Sequence, residues 1–235
     1  MNKLLKITLL AFSALFCSYL HAQEQEKIPV ASRFNLKATV GIPTVVSNKA
    51  LRNSFRGIYD AGLNFQIKLF SGLYTGIQGN YTGLKISNDK IALLNTECRI
   101  SSAGINLGYE KFASPRVMWY ANLAYGYNWL NYYKVECTDT GFVPKKDFIA
   151  SSIRPMVGFS YYSDDNFSLG MFVSYTYLTN EFDPTAICLQ KNSTYRKGDS
   201  SGNTSYISVG VVLNLNLRKD LFRSDSSGGD EPDEN

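Results

Sequence analysis

The chain has 235 residues, with 24 Lys plus Arg against 20 Asp plus Glu, 44% hydrophobic residues, 14% aromatic residues and one histidine. A formal charge of only +4 is close to balanced and gives no sign of a nucleic-acid partner. No uncharged apolar run reaches the ~20 residues that a membrane-spanning helix needs.

Residues 1–22 read as a secretory signal. Lys3 and Lys6 form a positive start, and Ile7 to Leu20 form an uncharged, mainly apolar stretch of fourteen residues that ends near Ala22-Gln23. Leu20 is larger than the small residue usual at that place in a cleavage site. Cys17 follows Phe16 rather than a small residue, so lipidation is not expected. Removing this segment takes away two lysines and no acids, which lowers the formal charge from +4 to +2. Residues 23–32 are then a short periplasmic segment. Any membrane insertion of the remainder must be by strands, because backbone polar groups in lipid are satisfied only in helices or closed barrels.

Period-two alternation marks eight strands. The first, about 33–42, sets Phe34, Leu36, Ala38, Val40 and Ile42 against Asn35, Lys37, Thr39 and Gly41. The second, about 58–69, sets Tyr59, Leu63, Phe65, Ile67 and Leu69 against Asp60, Gly62, Asn64, Gln66 and Lys68. In the third, about 73–84, Leu73, Thr75, Ile77 and Tyr81 oppose Gly76, Gln78 and Asn80. The fourth, about 98–111, opposes Ile105, Leu107 and Tyr109 to Asn106, Gly108 and Glu110.

The fifth carries Trp119 and Trp129 on one apolar face with Leu123, Tyr125 and Tyr127. Ten residues at ~3.3 Å span ~33 Å, and a tilt of ~40° leaves about 25 Å along the membrane normal. That is the height of the apolar band between the aromatic girdles of an outer-membrane barrel. Trp119 and Trp129, with Tyr59 and Tyr177 in the same register, are expected to anchor the two interfaces. The sixth strand, about 148–162, contains Arg154 on its polar face, and Pro155 beside it predicts a bulge. The seventh runs about 167–178. The eighth, about 206–217, opposes Ile207, Val209, Val211 and Leu213 to Ser208, Gly210, Asn214 and Asn216.

Short links near residues 70–72, 112–116 and 163–166 alternate with longer ones near 43–57, 85–97, 134–147 and 179–205. This is the pattern of periplasmic turns and extracellular loops. The expectation is an all-β fold, an eight-stranded antiparallel up-and-down transmembrane β-barrel over residues 33–217. Residues 218–235, rich in Asp, Glu, Ser and Gly, are expected to be an acidic disordered tail. A soluble, lipocalin-type barrel is the rival and would turn the apolar face inward.

With these alternating strands and the Ala-Gln junction, the chain resembles the small outer-membrane β-barrel domain proteins of Bacteroidota, often called "porin family" or PorT-like. The resemblance covers about 33–217 and implies location and fold more than chemistry.

Eight strands enclose an interior that side chains fill. Lys37, Asp60, Lys68, Glu110 and Arg154 are expected to pair there among amides, forming a polar plug. Inward glycines are expected to make room for long neighbours. The only histidine, His21, falls in the expected signal, so the processed chain lacks an imidazole for triad-type catalysis or a His-bearing metal site. No catalytic residues, metal ligands or cofactors are therefore assigned, and no enzyme activity is expected. Cys98, Cys137 and Cys188 fall at the rim or in loops, and a Cys137–Cys188 disulfide is the favoured pairing. Lys49, Arg52 and Arg56 make the first long link basic. Expected partners are outer-membrane lipids and, through the loops, lipopolysaccharide or an extracellular or secretion partner. A monomer is expected. The function expected is structural or interactive, with a narrow channel or an accessory of a secretion machine as the alternative.

Overall fold

The computed structural model describes residues 33–47, 49–86, 96–133, 146–164, 166–182 and 202–217. Its strands are β1 (Phe34–Val45), β2 (Phe55–Phe70), β3 (Leu73–Ile86), β4 (Glu97–Phe112), β5 (Val117–Tyr133), β6 (Lys146–Tyr162), β7 (Phe167–Glu181) and β8 (Asn203–Leu217). A six-residue helix, α1 (Lys49–Ser54), lies between β1 and β2. Each strand pairs antiparallel with the next, and β1 pairs with β8 from Phe34↔Leu217 to Val45↔Tyr206, so the sheet closes into an eight-stranded up-and-down barrel. Closure leaves no sheet edge.

Three tight turns follow from local chemistry. Gly72 adopts φ 77° in the β2–β3 turn, a left-handed conformation that costs glycine little. Between β4 and β5 the Ala113 amide donates to the Val117 carbonyl at 2.8 Å. Between β6 and β7 the Asp164 carboxylate accepts from the amides of Asn166 and Phe167 at 2.7 and 2.8 Å, a side-chain substitute for a backbone turn.

The alternation read from the sequence holds. Trp119, Leu123, Tyr127 and Trp129 are 41–57% exposed, whereas Asn35, Lys37, Asn106 and Asn122 are buried in the interior. The lipocalin-type alternative, with the apolar face inward, does not occur.

The strands run 12–17 residues, well past the ~9–11 that cross a bilayer when tilted. At the loop end the chemistry of the two faces reverses. Leu84, Ile86, Cys98, Ile100, Leu130, Tyr132, Leu178 and Tyr206 turn inward, and Lys85, Glu97, Arg99 and Asn131 turn outward. The barrel therefore continues above the apolar band as a water-facing tube with an oily interior. Part of the stretch expected as a loop near 43–57 belongs to it. β1 extends to Val45, and α1 presents Ala50 and Leu51 to the same interior cluster. The Ser54 hydroxyl closes the helix turn on the Ala50 carbonyl at 2.6 Å.

The bulge expected at Pro155 does not form. The β5–β6 register passes through Leu123↔Pro155 unbroken, and the β6–β7 pairing keeps its register from Ile153↔Tyr177 to Met156↔Ser174. The missing donor is absorbed by two unpaired positions on the β7 side, while the ring faces outward. Register shifts fall instead at Gly57/Tyr59, Lys68/Phe70 and Tyr177/Glu181, near strand ends.

The inward glycines do two jobs rather than one. Gly62, Gly108 and Gly158 leave room for the side chains of Asn80, Gln66 and Tyr120, as expected. Gly104 and Gly126 instead face each other across β4–β5, where a Cβ would come within 2.3 Å of a backbone carbonyl oxygen. Gly104→Ala is expected to cost about 1–3 kcal/mol through forced strand separation, read as a lower urea midpoint for unfolding in lipid vesicles. Gly79→Ala, whose new methyl meets nothing nearer than 3.6 Å, is the control expected to leave the midpoint unchanged.

Candidate functional site

The lumen is oily at its mouth and mainly polar below, where a smaller apolar cluster of Met118, Tyr120, Phe172 and Val212 packs among the polar side chains. Nearer the short turns, the Lys37 ammonium pairs with Glu110 Oε1 and sits 4.5 Å from the centre of the Tyr120 ring. The Asn35 amide donates to the same Glu110 oxygen at 3.1 Å. Further along, the Arg154 guanidinium grips Asp60 from two nitrogens, at 2.7 and 3.4 Å, and also donates to Ser174 Oγ at 3.2 Å. Thr82 donates to Asp60 Oδ1 at 2.9 Å and lies 3.2 Å from the Tyr206 hydroxyl. A buried charge is tolerated only when paired and hydrogen-bonded, and both pairs meet that condition.

Between the ion pairs runs an amide ladder. Gln66 donates to Asn106 Oδ1 at 2.8 Å, and Asn106 in turn donates to Asn64 Oδ1 at 2.6 Å. On the opposite wall Asn214 donates to Ser160 and Ser168 at 2.7 and 2.8 Å. A cavity of about 10 Å³ remains among Thr39, Asn64, Asn80, Asn122 and Arg154, which is space for about one water molecule.

Above the Asp60–Arg154 pair the polar layer ends in the oily one. Phe55 meets Phe182 edge-on with ring centres 6.2 Å apart, and Tyr132 packs on Phe55, Phe148 and Phe182 at 6.4, 6.0 and 6.5 Å. With Leu51 of α1, these rings fill the mouth.

Four of the five charged residues expected in the lumen meet there as two pairs. Lys68 does not join them. It lies half-buried at the turn end of β2, beside the register shift, where its backbone amide donates to the Arg33 carbonyl at 2.8 Å. Trp119 and Trp129 project outward near opposite ends of the apolar band. Tyr59 lies 5.7 Å from Tyr81 outside β2 and β3, and Tyr177 receives a hydrogen bond from Asn203. Cys98 is buried in the oily layer as a free thiol. Cys137 and Cys188, and hence the expected disulfide, lie outside the described residues.

The oily layer is the part that sequence reading missed. A signal for it was present, because Leu84-Lys85-Ile86 and Cys98-Arg99-Ile100 keep the alternation while exchanging which face is charged.

No family model and no curated protein matches the sequence. Among solved structures, the barrel is similar to Neisserial surface protein A, with a TM-score of 0.53, 15% identity, and coverage of 80% of this chain and 99% of that one. It also matches OprG from Pseudomonas aeruginosa, with a TM-score of 0.45, 13% identity, and coverage of 82% and 100%. Ail of Yersinia pestis matches with a TM-score of 0.43, 11% identity, and coverage of 79% and 100%. The first likeness supports the small eight-stranded outer-membrane barrel fold. The exterior gives the location its physical basis, since a closed barrel with an apolar outer band between aromatic girdles is built for the outer membrane.

Proposed function

We propose that this is an outer-membrane barrel protein with a closed lumen, acting at its loop end as a structural or interaction protein. The observation that carries this reading is the double closure. Two hydrogen-bonded ion pairs cross the polar layer, and an aromatic and aliphatic layer with α1 fills the mouth above them. An ion crossing the barrel would have to break the pairs and then wet an interior of Leu, Ile and Phe side chains. The narrow-channel alternative requires both events.

The reading is non-enzymatic. It rests on the sequence, whose only histidine is His21 in the expected signal of residues 1–22. The periodic strands support the resemblance to the small Bacteroidota barrels, and the extended tube beyond the membrane supports work directed outward. An accessory role in a secretion machine stands with the narrow channel as the alternative, and co-purification with secretion components would favour it.

Purified full-length protein, reconstituted in planar bilayers, is expected to give no sustained conductance steps, while its unheated form migrates differently from the boiled form on a gel. Sustained, reproducible steps from the folded protein would overturn the closed-lumen reading.

A further inference from the structure

At the loop end, where the outer face turns from apolar to polar, charge is unevenly distributed among the described residues. The outward positions of β2, β3 and β4 are Arg56, Lys85, Arg99 and Glu97, whereas β6 and β7 present Asp147 and Glu181. Arg56 stands directly across from Lys85, and Lys85 directly across from Glu97. An anion lying over the opposed Arg56 and Lys85 would meet two cations at once. Glu97 is engaged with Arg99, at 3.0 Å. Among the described residues, three cations and one carboxylate line this arc.

Arg99 is held in place twice, by Glu97 and by Tyr133, whose ring centre lies 4.5 Å from the guanidinium carbon. Gly83 is the register partner of both Arg99 and Tyr59. A Cβ at Gly83 would meet Tyr59 ring atoms at 2.7 Å, so the bare backbone is what lets the Tyr59 ring lie against β3. Tyr59, Tyr81 and, one strand beyond β4, Trp129 form an aromatic row just below the cations. Below that row the exterior is an apolar strip that includes Leu63, Ile77 and Ile105.

The geometry points to this β2–β4 rim as the binding site of a phosphorylated lipid of the external leaflet, with phosphate groups on Arg56, Lys85 and Arg99 and acyl chains along the strip beneath. Free phosphate would use the cations and leave the strip unused. A diphosphorylated, multiply acylated glycolipid of the lipid A class uses both, and the acidic β6–β7 arc would repel it. The site rests on the outer-membrane reading above.

The test uses full-length protein in phosphatidylcholine nanodiscs containing a small fraction of diphosphoryl lipid A, with retained lipid measured by native mass spectrometry. Lipid A is expected to stay bound, with retention falling about five-fold per cation removed in Lys85→Gln and in the triple variant R56Q/K85Q/R99Q. The double variant D147N/E181Q is expected to retain lipid A like the unaltered protein. Phosphatidylglycerol retained equally well, complete displacement by inorganic phosphate, or a triple variant that binds normally would each overturn the site. Heat-modifiable protein that enters the nanodisc but holds no lipid A defeats the site alone. Protein that never enters the nanodisc defeats both the site and the outer-membrane reading.

Discussion

Arg154→Met is expected to lower the unfolding free energy by about 3–5 kcal/mol, because it strands the Asp60 carboxylate in the lumen without its charged partner. Asp60 is 1% exposed, and its remaining side-chain contact is the Thr82 hydroxyl at 2.9 Å, which cannot neutralise a charge. The double variant D60L/R154M removes both charges and is expected to recover most of the loss, since an apolar pair of similar volume replaces a buried ion pair at little cost. The urea midpoint of the folded, heat-modifiable form in vesicles reads both effects. Wild-type stability for the single variant would mean that water reaches Asp60, and the closed lumen would be wrong.

The second large effect tests orientation. Leu123 lies between Trp119 and Trp129 on β5, 52% exposed, with Leu107 and Pro155 as its cross-strand neighbours. Leu123→Arg places a guanidinium near the middle of the apolar band and is expected to cost about 2–4 kcal/mol in vesicles. Lys111→Arg, which exchanges cations at the outward turn end of β4, is expected to leave stability unchanged in the same assay. Equal stability of L123R and the unaltered protein would show that this face never meets lipid.

The membrane-facing half of the barrel was legible in the sequence for a simple reason. In that zone the solvents of the two faces differ, so every second residue reports which one it meets. Trp119 to Trp129 on β5, and Ile207 to Leu217 on β8, carry that contrast at most positions, with Tyr120, Ala124 and Val212 as inward apolar exceptions. Above the band the contrast inverts rather than disappears. Leu84 and Ile86 are apolar because they face inward, whereas Ile77 on the same strand is apolar because it faces lipid. Identity alone cannot separate these two causes. Phase relative to the membrane boundary can, and that boundary is set by closure.

The ion pairs were legible as members but not as partners. Lys37, Asp60, Glu110 and Arg154 all read as inward, yet the pairing of Lys37 with Glu110 rather than Asp60 depends on how tilted strands bring distant positions to one level. Lys68 keeps the inward phase opposite Tyr74 but stands half-buried at the turn end of β2, away from the two ion pairs. Pro155 misled in the other direction. Its ring points outward and its lost donor falls on one neighbouring strand only, so the ladder tolerates it without a detour.

The zipping of β1 to β8 imposes an order of assembly. Phe34 finds Leu217, and Val45 finds Tyr206, only after nearly the whole described sequence is available. Until then two long rows of amides and carbonyls stand open, each able to capture a stray strand from another molecule. A polypeptide of this design cannot mature from one end as it emerges. It must be kept apart from its own kind until the final hairpin arrives, and joining the first strand to the last is then the step that commits it to its native state.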